Sequence, residues 1–196
     1  MMIWFVLITG GNMMTVLNKR QLNNRGASVV ELLIIMAIIA VLLSGSIIAF
    51  SILDNSNIKQ ASRTTKTYIE KTRSSAMSVV ADEWYFTLTK SGDNYKANVY
   101  KTYTNAENAT VTDMMEEKLL GTRISAAFVA GADELAIGDG NVVKITFEPS
   151  SGKVKKVTFD GTEYSPTENM ISIRFTAGND VNNVNLYFVS GKVEIE

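Results

Sequence analysis

The chain of 196 residues contains no cysteine, no histidine and only two prolines. Without cysteine, no disulfide bond holds the fold together, so core packing must stabilise it. Without histidine or cysteine, the Ser/His/Asp and Cys/His nucleophilic systems and the common zinc sites are excluded. We therefore predict that the protein is not an enzyme and uses no cofactor.

Charge is nearly absent from a long apolar run at residues 27–50, in which Glu31 is the one charged residue. At about 1.5 Å per residue, a helix of this length crosses the roughly 30 Å of hydrocarbon in a bilayer. The basic residues before the run have no acidic residue among them, which predicts a cytoplasmic leader and an extracytoplasmic remainder. These basic residues are Lys19, Arg20 and Arg25.

Glu31 is unusual because a carboxylate in the middle of a membrane helix costs roughly 2.5–3.5 kcal/mol. Its side chain needs either a route to the lipid headgroups or a partner. If the chain is cut after Gly26, the new α-amino group of Ala27 lies four residues before Glu31, on the same helix face. Identical or related chains then pair the positive terminus of one with the negative side chain of another.

The junction Gly26-Ala27-Ser28-Val29-Val30-Glu31, preceded by basic residues and followed by an apolar helix, resembles the class III signal of type IV prepilins and pseudopilins. The resemblance implies that a prepilin peptidase cuts after Gly26 and methylates the amine of Ala27, and that Glu31 guides filament assembly. Alanine at the new terminus departs from the phenylalanine or methionine of many members. An uncleaved signal anchor, with Glu31 at the membrane interface, remains the alternative.

We predict a leader at residues 1–26, and we expect its first twelve residues to be either upstream translation or a dispensable extension. A start at Met13 or Met14 gives the short, polar, basic leader that this class of signal uses. Removal of residues 1–26 takes away three of the 19 basic residues and none of the 20 acidic ones, which leaves a net charge of −4. A mildly acidic remainder disfavours broad affinity for nucleic acid.

Helical periodicity continues past the apolar run, without proline, to residue 82. We predict one long helix whose half at 27–53 spans the membrane and assembles, and whose half at 54–82 is amphipathic. Its apolar face consists of Ile58, Ala61, Tyr68, Ile69, Thr72, Ala76, Val79 and Val80.

From residue 83 to residue 196 the period changes to that of β-strands divided by turn residues. Strands are predicted at 84–90, 94–103, 142–148, 154–160, 171–176, 184–189 and 192–195, with a short helix at 113–120. The motif Ser151-Gly152-Lys153-Val154 recurs as Ser190-Gly191-Lys192-Val193, which indicates two hairpins with the same turn chemistry. The predicted fold class is α+β and type IV pilin-like, with the long N-terminal helix packed on an antiparallel β-sheet head.

The carboxy-terminal strands carry a second resemblance, to the heads of minor pseudopilins of the GspH/FimT type. The residues that carry it are Ile145-Thr146-Phe147-Glu148-Pro149, Ile171-Ser172-Ile173, Val184-Asn185-Leu186 and Gly191-Lys192-Val193-Glu194-Ile195. The resemblance implies a minor subunit rather than the main repeating one.

Two further groups of side chains are candidate sites in the head. Asp133, Glu134 and Asp139 offer oxygen ligands for calcium, but their spacing does not fit the EF-hand pattern, so a solvated acidic loop is the favoured interpretation. Three tyrosines interleaved with three lysines offer a stacking and phosphate-contacting surface for single-stranded DNA, although such residues are ordinary on exposed strands. They are Tyr95, Tyr100, Tyr103, Lys90, Lys96 and Lys101.

The sequence thus predicts a minor pilin or pseudopilin of a type IV pilus, a competence pilus or a type II secretion pseudopilus. Its expected partners are the prepilin peptidase, other pilin subunits, the inner-membrane assembly platform and, before assembly, membrane lipid. The alternative is a membrane-anchored surface binding module that keeps a pilin-like signal anchor and contacts DNA or another surface ligand.

Overall fold

The computed structural model describes residues 28–79, 81–164 and 169–196, and for residues 44–52 it describes the backbone alone. Within these residues one helix, α1 (Val29–Ser78), precedes eleven strands. The chain divides between Leu43 and Ser44 into two compact units. The strands are β1 (Glu83–Ser91), β2 (Asn94–Thr104), β3 (Thr110–Leu120), β4 (Ser125–Ala130), β5 (Asp133–Ala136), β6 (Val142–Phe147), β7 (Val154–Phe159), β8 (Thr162–Glu163), β9 (Met170–Ala177), β10 (Asp180–Tyr187) and β11 (Val193–Ile195).

The strands form two antiparallel sheets, which confirms the predicted α+β class with a helix packed on antiparallel β-structure. Sheet A has the strand order β3-β2-β1-β6-β7-β8, and sheet B has the order β11-β10-β9-β4-β5. Hairpins account for most neighbours in each sheet. The pairs β1–β6 and β4–β9 instead join strands that are far apart in the sequence.

The second part of α1 buries one stripe of side chains against the sheets. Ile58, Ala61, Ile69 and Ala76 lie in the same hydrophobic core as the inward-facing residues of both sheets. Their spacing of three, seven or eight residues keeps them on one helix face. The small polar residues Ser62, Thr65 and Thr72 complete the stripe and are fully buried. The predicted apolar face is confirmed at Ile58, Ala61, Ile69, Thr72 and Ala76, whereas Tyr68 is half-buried, Val79 is exposed and Val80 lies outside the described residues.

Strand alternation places one face of each sheet in the core. In sheet A the buried pairs are Phe86 with Leu88 on β1, Ala97 with Val99 on β2 and Val143 with Ile145 on β6. In sheet B the corresponding residues are Phe128 on β4, Ile171, Ile173 and Phe175 on β9, and Val184 with Leu186 on β10. Because side chains alternate across a strand, the intervening residues of sheet A form its outer face.

The seven predicted strands are all present, with ends that differ by a few residues. The helix predicted at 113–120 is wrong, because these residues belong to β3 and pair with β2 from Tyr95↔Leu120 to Thr104↔Thr110. Methionine, glutamate, lysine and leucine favour a helix in isolation. Here the backbone hydrogen bonds between β3 and β2 outweigh that preference. Strands β4, β5 and β8 were missed, and α1 ends at Ser78 rather than at residue 82.

The two Ser-Gly-Lys-Val turns meet each other beside α1. Gly152 and Gly191 both have left-handed backbones, with φ of 66° and 63°. The Nε atom of Arg73 on α1 donates a hydrogen bond to the carbonyl oxygen of Gly152 at 3.0 Å. A Cβ atom on Gly191 would overlap that carbonyl oxygen and press on the Arg73 side chain. The two glycines therefore permit a close approach that no other residue allows.

The hydroxyl of Tyr95 links the two sheets inside the core. Tyr95 is 2 % exposed, and its hydroxyl donates to the carbonyl of Ile137 at 3.1 Å and accepts from the amide of Ala126 at 3.0 Å. Ile137 and Ala126 are themselves joined by a backbone hydrogen bond of 2.9 Å. One phenolic oxygen thus satisfies two buried backbone groups at the end of sheet B.

We expect Tyr95→Phe to lower the free energy of unfolding by about 2–4 kcal/mol, because it leaves a buried amide and a buried carbonyl unpaired. Urea unfolding of the full chain in detergent micelles, followed by tryptophan fluorescence, measures the change. Tyr100→Phe is the control, since Tyr100 is half-exposed on the outer face of sheet A, and we expect it to change stability by less than about 0.5 kcal/mol. Equal losses for the two variants would contradict the bridging role.

Candidate functional site

Glu31 lies in the first turn of α1. The helix begins at Val29, and the amide of Leu32 donates to the carbonyl of Ser28 at 3.1 Å. A carboxylate in the first turn interacts favourably with the positive end of the helix dipole, so this end of the helix accommodates an exposed glutamate. The other predicted signal residues, Gly26, Ala27, Lys19, Arg20 and Arg25, lie outside the described residues.

Large apolar side chains are exposed on every side of the helix on both sides of Glu31 in the sequence. Ten of them, with exposed fractions between 48 % and 76 %, are Val29, Val30, Leu32, Leu33, Ile34, Ile35, Met36, Ile38, Ile39 and Leu43. Consecutive residues of a helix point about 100° apart, so such a run covers the whole circumference. A helix that is apolar all round is typical of one that is buried in a larger assembly or in a membrane.

No helix within residues 28–79, 81–164 and 169–196 is long and apolar enough to cross a membrane. Residue 27 and the side chains of residues 44–52, which belong to the predicted span, lie outside the described part of the chain. The membrane span, the cytoplasmic leader and the extracytoplasmic head stay predictions.

The calcium candidates engage different neighbours in the head. Asp133 and Glu134 are exposed at the start of β5, where the Glu134 carboxylate accepts a hydrogen bond from Arg174 on β9 at 2.5 Å. Asp139 lies beyond β5 and accepts a hydrogen bond from the amide of Gly92 at 2.9 Å. Among the described residues, no group of three or more acidic, histidine or cysteine side chains is arranged to hold a metal ion.

The tyrosines and lysines proposed to contact DNA do not share one surface. Along β2, Lys96 and Tyr100 face outward from sheet A, whereas Tyr95 faces the core. Lys101 lies on the same face as Tyr95, where its ammonium group pairs with Asp82 at 2.9 Å and lies 4.9 Å from the ring centroid of Tyr103. The interleaved order in the sequence therefore divides the set between the two faces of the sheet.

The comparisons with known proteins leave the family open. No protein-family model, curated protein or solved structure matches the chain. The resemblances to type IV prepilins and to the GspH/FimT heads rest on the residues quoted above.

The outer face of sheet A holds a polar and aromatic cluster that sequence reasoning missed. Tyr85 and Tyr100, which are directly opposite each other on β1 and β2, stack with their ring centroids 5.1 Å apart. The ammonium of Lys144 on β6 lies 3.7 Å from the ring centroid of Tyr85. Burial is the largest cause of the raised pKa of Tyr85. The sequence shows only that Tyr85, Tyr100 and Lys144 alternate with apolar residues. Their proximity follows from the register of β1, β2 and β6, which the sequence does not show.

Proposed function

We propose that the chain is a minor pilin or pseudopilin, processed by a prepilin peptidase and assembled through its N-terminal helix into a filament of the type IV pilus or type II secretion class. The observation that carries the proposal is the exposure of large apolar side chains all round residues 29–43 of α1, with one carboxylate, Glu31, in the first turn. The class III signal in the sequence supports it.

The exposed helix needs a partner because its apolar surface is costly in water. Burying apolar surface yields about 25 cal/mol per Å², so the ten exposed apolar side chains favour insertion into lipid or packing on other helices. In lipid the helix is accommodated, but the charge of Glu31 is not. Packing in a bundle of identical or related helices exchanges lipid contacts for helix contacts and supplies a cationic partner for Glu31.

The second unit has a complete core of its own, which fits the role of a head outside such a bundle. Its strands bury Phe86, Phe128, Phe147 and Phe175 within 1 % exposure or less. The sequence has no cysteine, so no disulfide contributes to this core. All residues of this hydrophobic core belong to the second unit itself.

The first test is the intact mass of the mature chain from a membrane or sheared-surface fraction of producing cells. We expect a terminus at Ala27, one methyl group heavier than the unmodified amine. Gly26→Val should retain the leader because the peptidase no longer cuts, whereas Gly11→Val, a leader glycine away from the junction, should give the same mature mass as the wild type. A wild-type chain that still carries residues 19–26 would overturn the proposal in favour of an uncleaved signal anchor.

A further inference from the structure

Three lysines converge on a groove in the outer face of sheet A. The groove has a volume of about 370 Å³ and lies across the start of β1 and the strands β6 and β7. Its lining consists of Lys144, Lys155, Lys156, Thr146, Thr158 and Glu83. No predicted site residue is among them, and the groove belongs entirely to the second unit of the chain.

Strand register sets the pattern of charge in the groove. Lys144 is directly opposite Thr158, and Thr146 is directly opposite Lys156, so these four side chains share one face of the β6–β7 pair. The two lysines lie on one diagonal and the two threonines on the other. Diagonal neighbours on one face are within reach of long side chains. Ammonium and hydroxyl donors therefore alternate across the floor.

A register shift adds the third lysine to this face. The pairing passes from Thr146↔Lys156 to Phe147↔Val154, which leaves Lys155 without a direct partner on β6. A bulge of this kind re-aims a side chain that regular alternation would turn to the other face. As a result, the adjacent residues Lys155 and Lys156 are both exposed, between the buried Val154 and Val157.

The lysines are only weakly engaged within the protein. Lys155 pairs with Glu83 at 2.9 Å and Lys156 with Glu163 at 2.7 Å, and about half of each lysine side chain is exposed. Exposed pairs of this type contribute little to stability, so an incoming anion can replace the carboxylates. Lys144 is held over the Tyr85 ring, and within the described residues it forms no ion pair with a carboxylate.

We propose that this groove binds a phosphate polymer without bases, with Lys144, Lys155 and Lys156 contacting successive phosphate groups and the hydroxyls of Thr146 and Thr158 donating hydrogen bonds to phosphate oxygens. Three lysines and one glutamate give the lining a net positive charge, although the whole chain has a net charge of −1. The ammonium groups come from three positions on two strands, which fits a chain of phosphates better than a single ion. Charge-assisted hydrogen bonds to phosphate are the strong polar contacts of such a site.

The aromatic residues beside the groove favour a polymer without bases over a nucleic acid. Single-stranded nucleic acids bind by stacking their bases on exposed aromatic rings. Here Tyr85 is stacked against Tyr100 and covered by the ammonium of Lys144. These contacts occupy both faces of the Tyr85 ring, so the ring beside the groove does not offer a face for stacking on a base, and charge is the main recognition element.

The proposal is tested with end-labelled, long-chain inorganic polyphosphate and the full chain in nonionic detergent micelles, by fluorescence anisotropy. The test variant is the triple substitution Lys144→Gln, Lys155→Gln and Lys156→Gln. The control is the triple substitution Lys66→Gln, Lys71→Gln and Lys192→Gln, which removes the same charge from three lysines that also pair with carboxylates and whose side chains are 35–64 % exposed. Far-UV circular dichroism compares the folding of both variants, and Lys144→Gln alone serves if the triple variant does not fold.

We expect the groove variant to weaken polyphosphate binding about tenfold or more at low salt and to flatten the salt dependence, because fewer phosphates are neutralised. The control variant should change the affinity for polyphosphate by less than about threefold, because it alters only the overall charge of the protein, whose long-range effect is screened by salt. Equal losses in the two variants, or no binding by the wild type, would overturn the proposal. Tighter binding of a labelled oligothymidylate than of polyphosphate would also overturn it and would assign the groove to nucleic acid.

Discussion

Replacing Gly191 with alanine is expected to lower the free energy of unfolding by about 2–5 kcal/mol, the largest loss that we predict for the addition of one methyl group. Two costs add. A left-handed backbone, here with φ of 63°, costs a residue with a Cβ atom about 1–2 kcal/mol. The new methyl group also overlaps the carbonyl oxygen of Gly152 and presses on Arg73, and overpacking costs about 1–3 kcal/mol.

Gly92→Ala is the matched control for this change. Gly92 has a φ of 60°, almost the same as Gly191, but a Cβ atom there meets nothing within 4 Å. We expect it to cost only the backbone strain of about 1–2 kcal/mol. Chemical denaturation of the two full-length variants in the same detergent separates the two contributions. If both variants lose the same stability, the contact between the two turns does not form in solution.

Changing Glu31 to glutamine is expected to remove the chain from filaments while leaving its processing intact. Under the proposed function, an unpaired terminal amine would remain buried among apolar helices, and leaving one member of a buried ion pair alone costs about 3–5 kcal/mol. This corresponds to a loss of more than about a hundredfold in the assembly equilibrium. Quantitative immunoblotting of sheared-surface and membrane fractions measures it.

Glu70→Gln is the control, because Glu70 is a half-exposed glutamate of the same helix that pairs with Lys66 at 3.7 Å. We expect normal incorporation of that variant, since an exposed pair of this type contributes at most about 1 kcal/mol. Normal incorporation of the Glu31→Gln chain would instead support the alternative of a membrane-anchored binding module. The mass of the mature terminus, measured in parallel, distinguishes a defect in assembly from one in cleavage.

Elements with a clear local period could be predicted from the sequence. The amphipathic stripe from Ile58 to Ala76 and the alternation of β1, β2, β6 and β9 follow directly from burial on one face. Strand β3 was mistaken for a helix because its preference is set by pairing with β2, which is not a local property. The alanine-rich β4 was missed for a similar reason, since small residues carry little periodic signal.

The groups that require strand register could not be predicted. Adjacent tyrosines and lysines on β2 appear together in the sequence, but alternation sends Tyr95 to the core and Lys96 to the outer face. Lys144 and Lys156 are brought together by pairing between strands, and Lys155 joins them through a one-residue shift. The contact between Gly152 and Gly191 depends on the packing of two hairpins from different sheets. A single sequence shows the repeated motif but not that its two copies touch.

The order of pairing along the chain determines when the head folds during synthesis. Strand β1 lacks one of its two hydrogen-bonded neighbours until β6 has been synthesised. Strand β4 likewise lacks one neighbour until β9 has been synthesised. The turn whose Gly152 carbonyl accepts a hydrogen bond from Arg73 of α1 also contacts Gly191, which lies close to the last strand. Such long-range contacts make folding slow and late. A ribosome therefore synthesises almost the whole chain before Phe86 and Leu88 are buried in the completed core. The apolar residues 29–43 are synthesised long before that core can form.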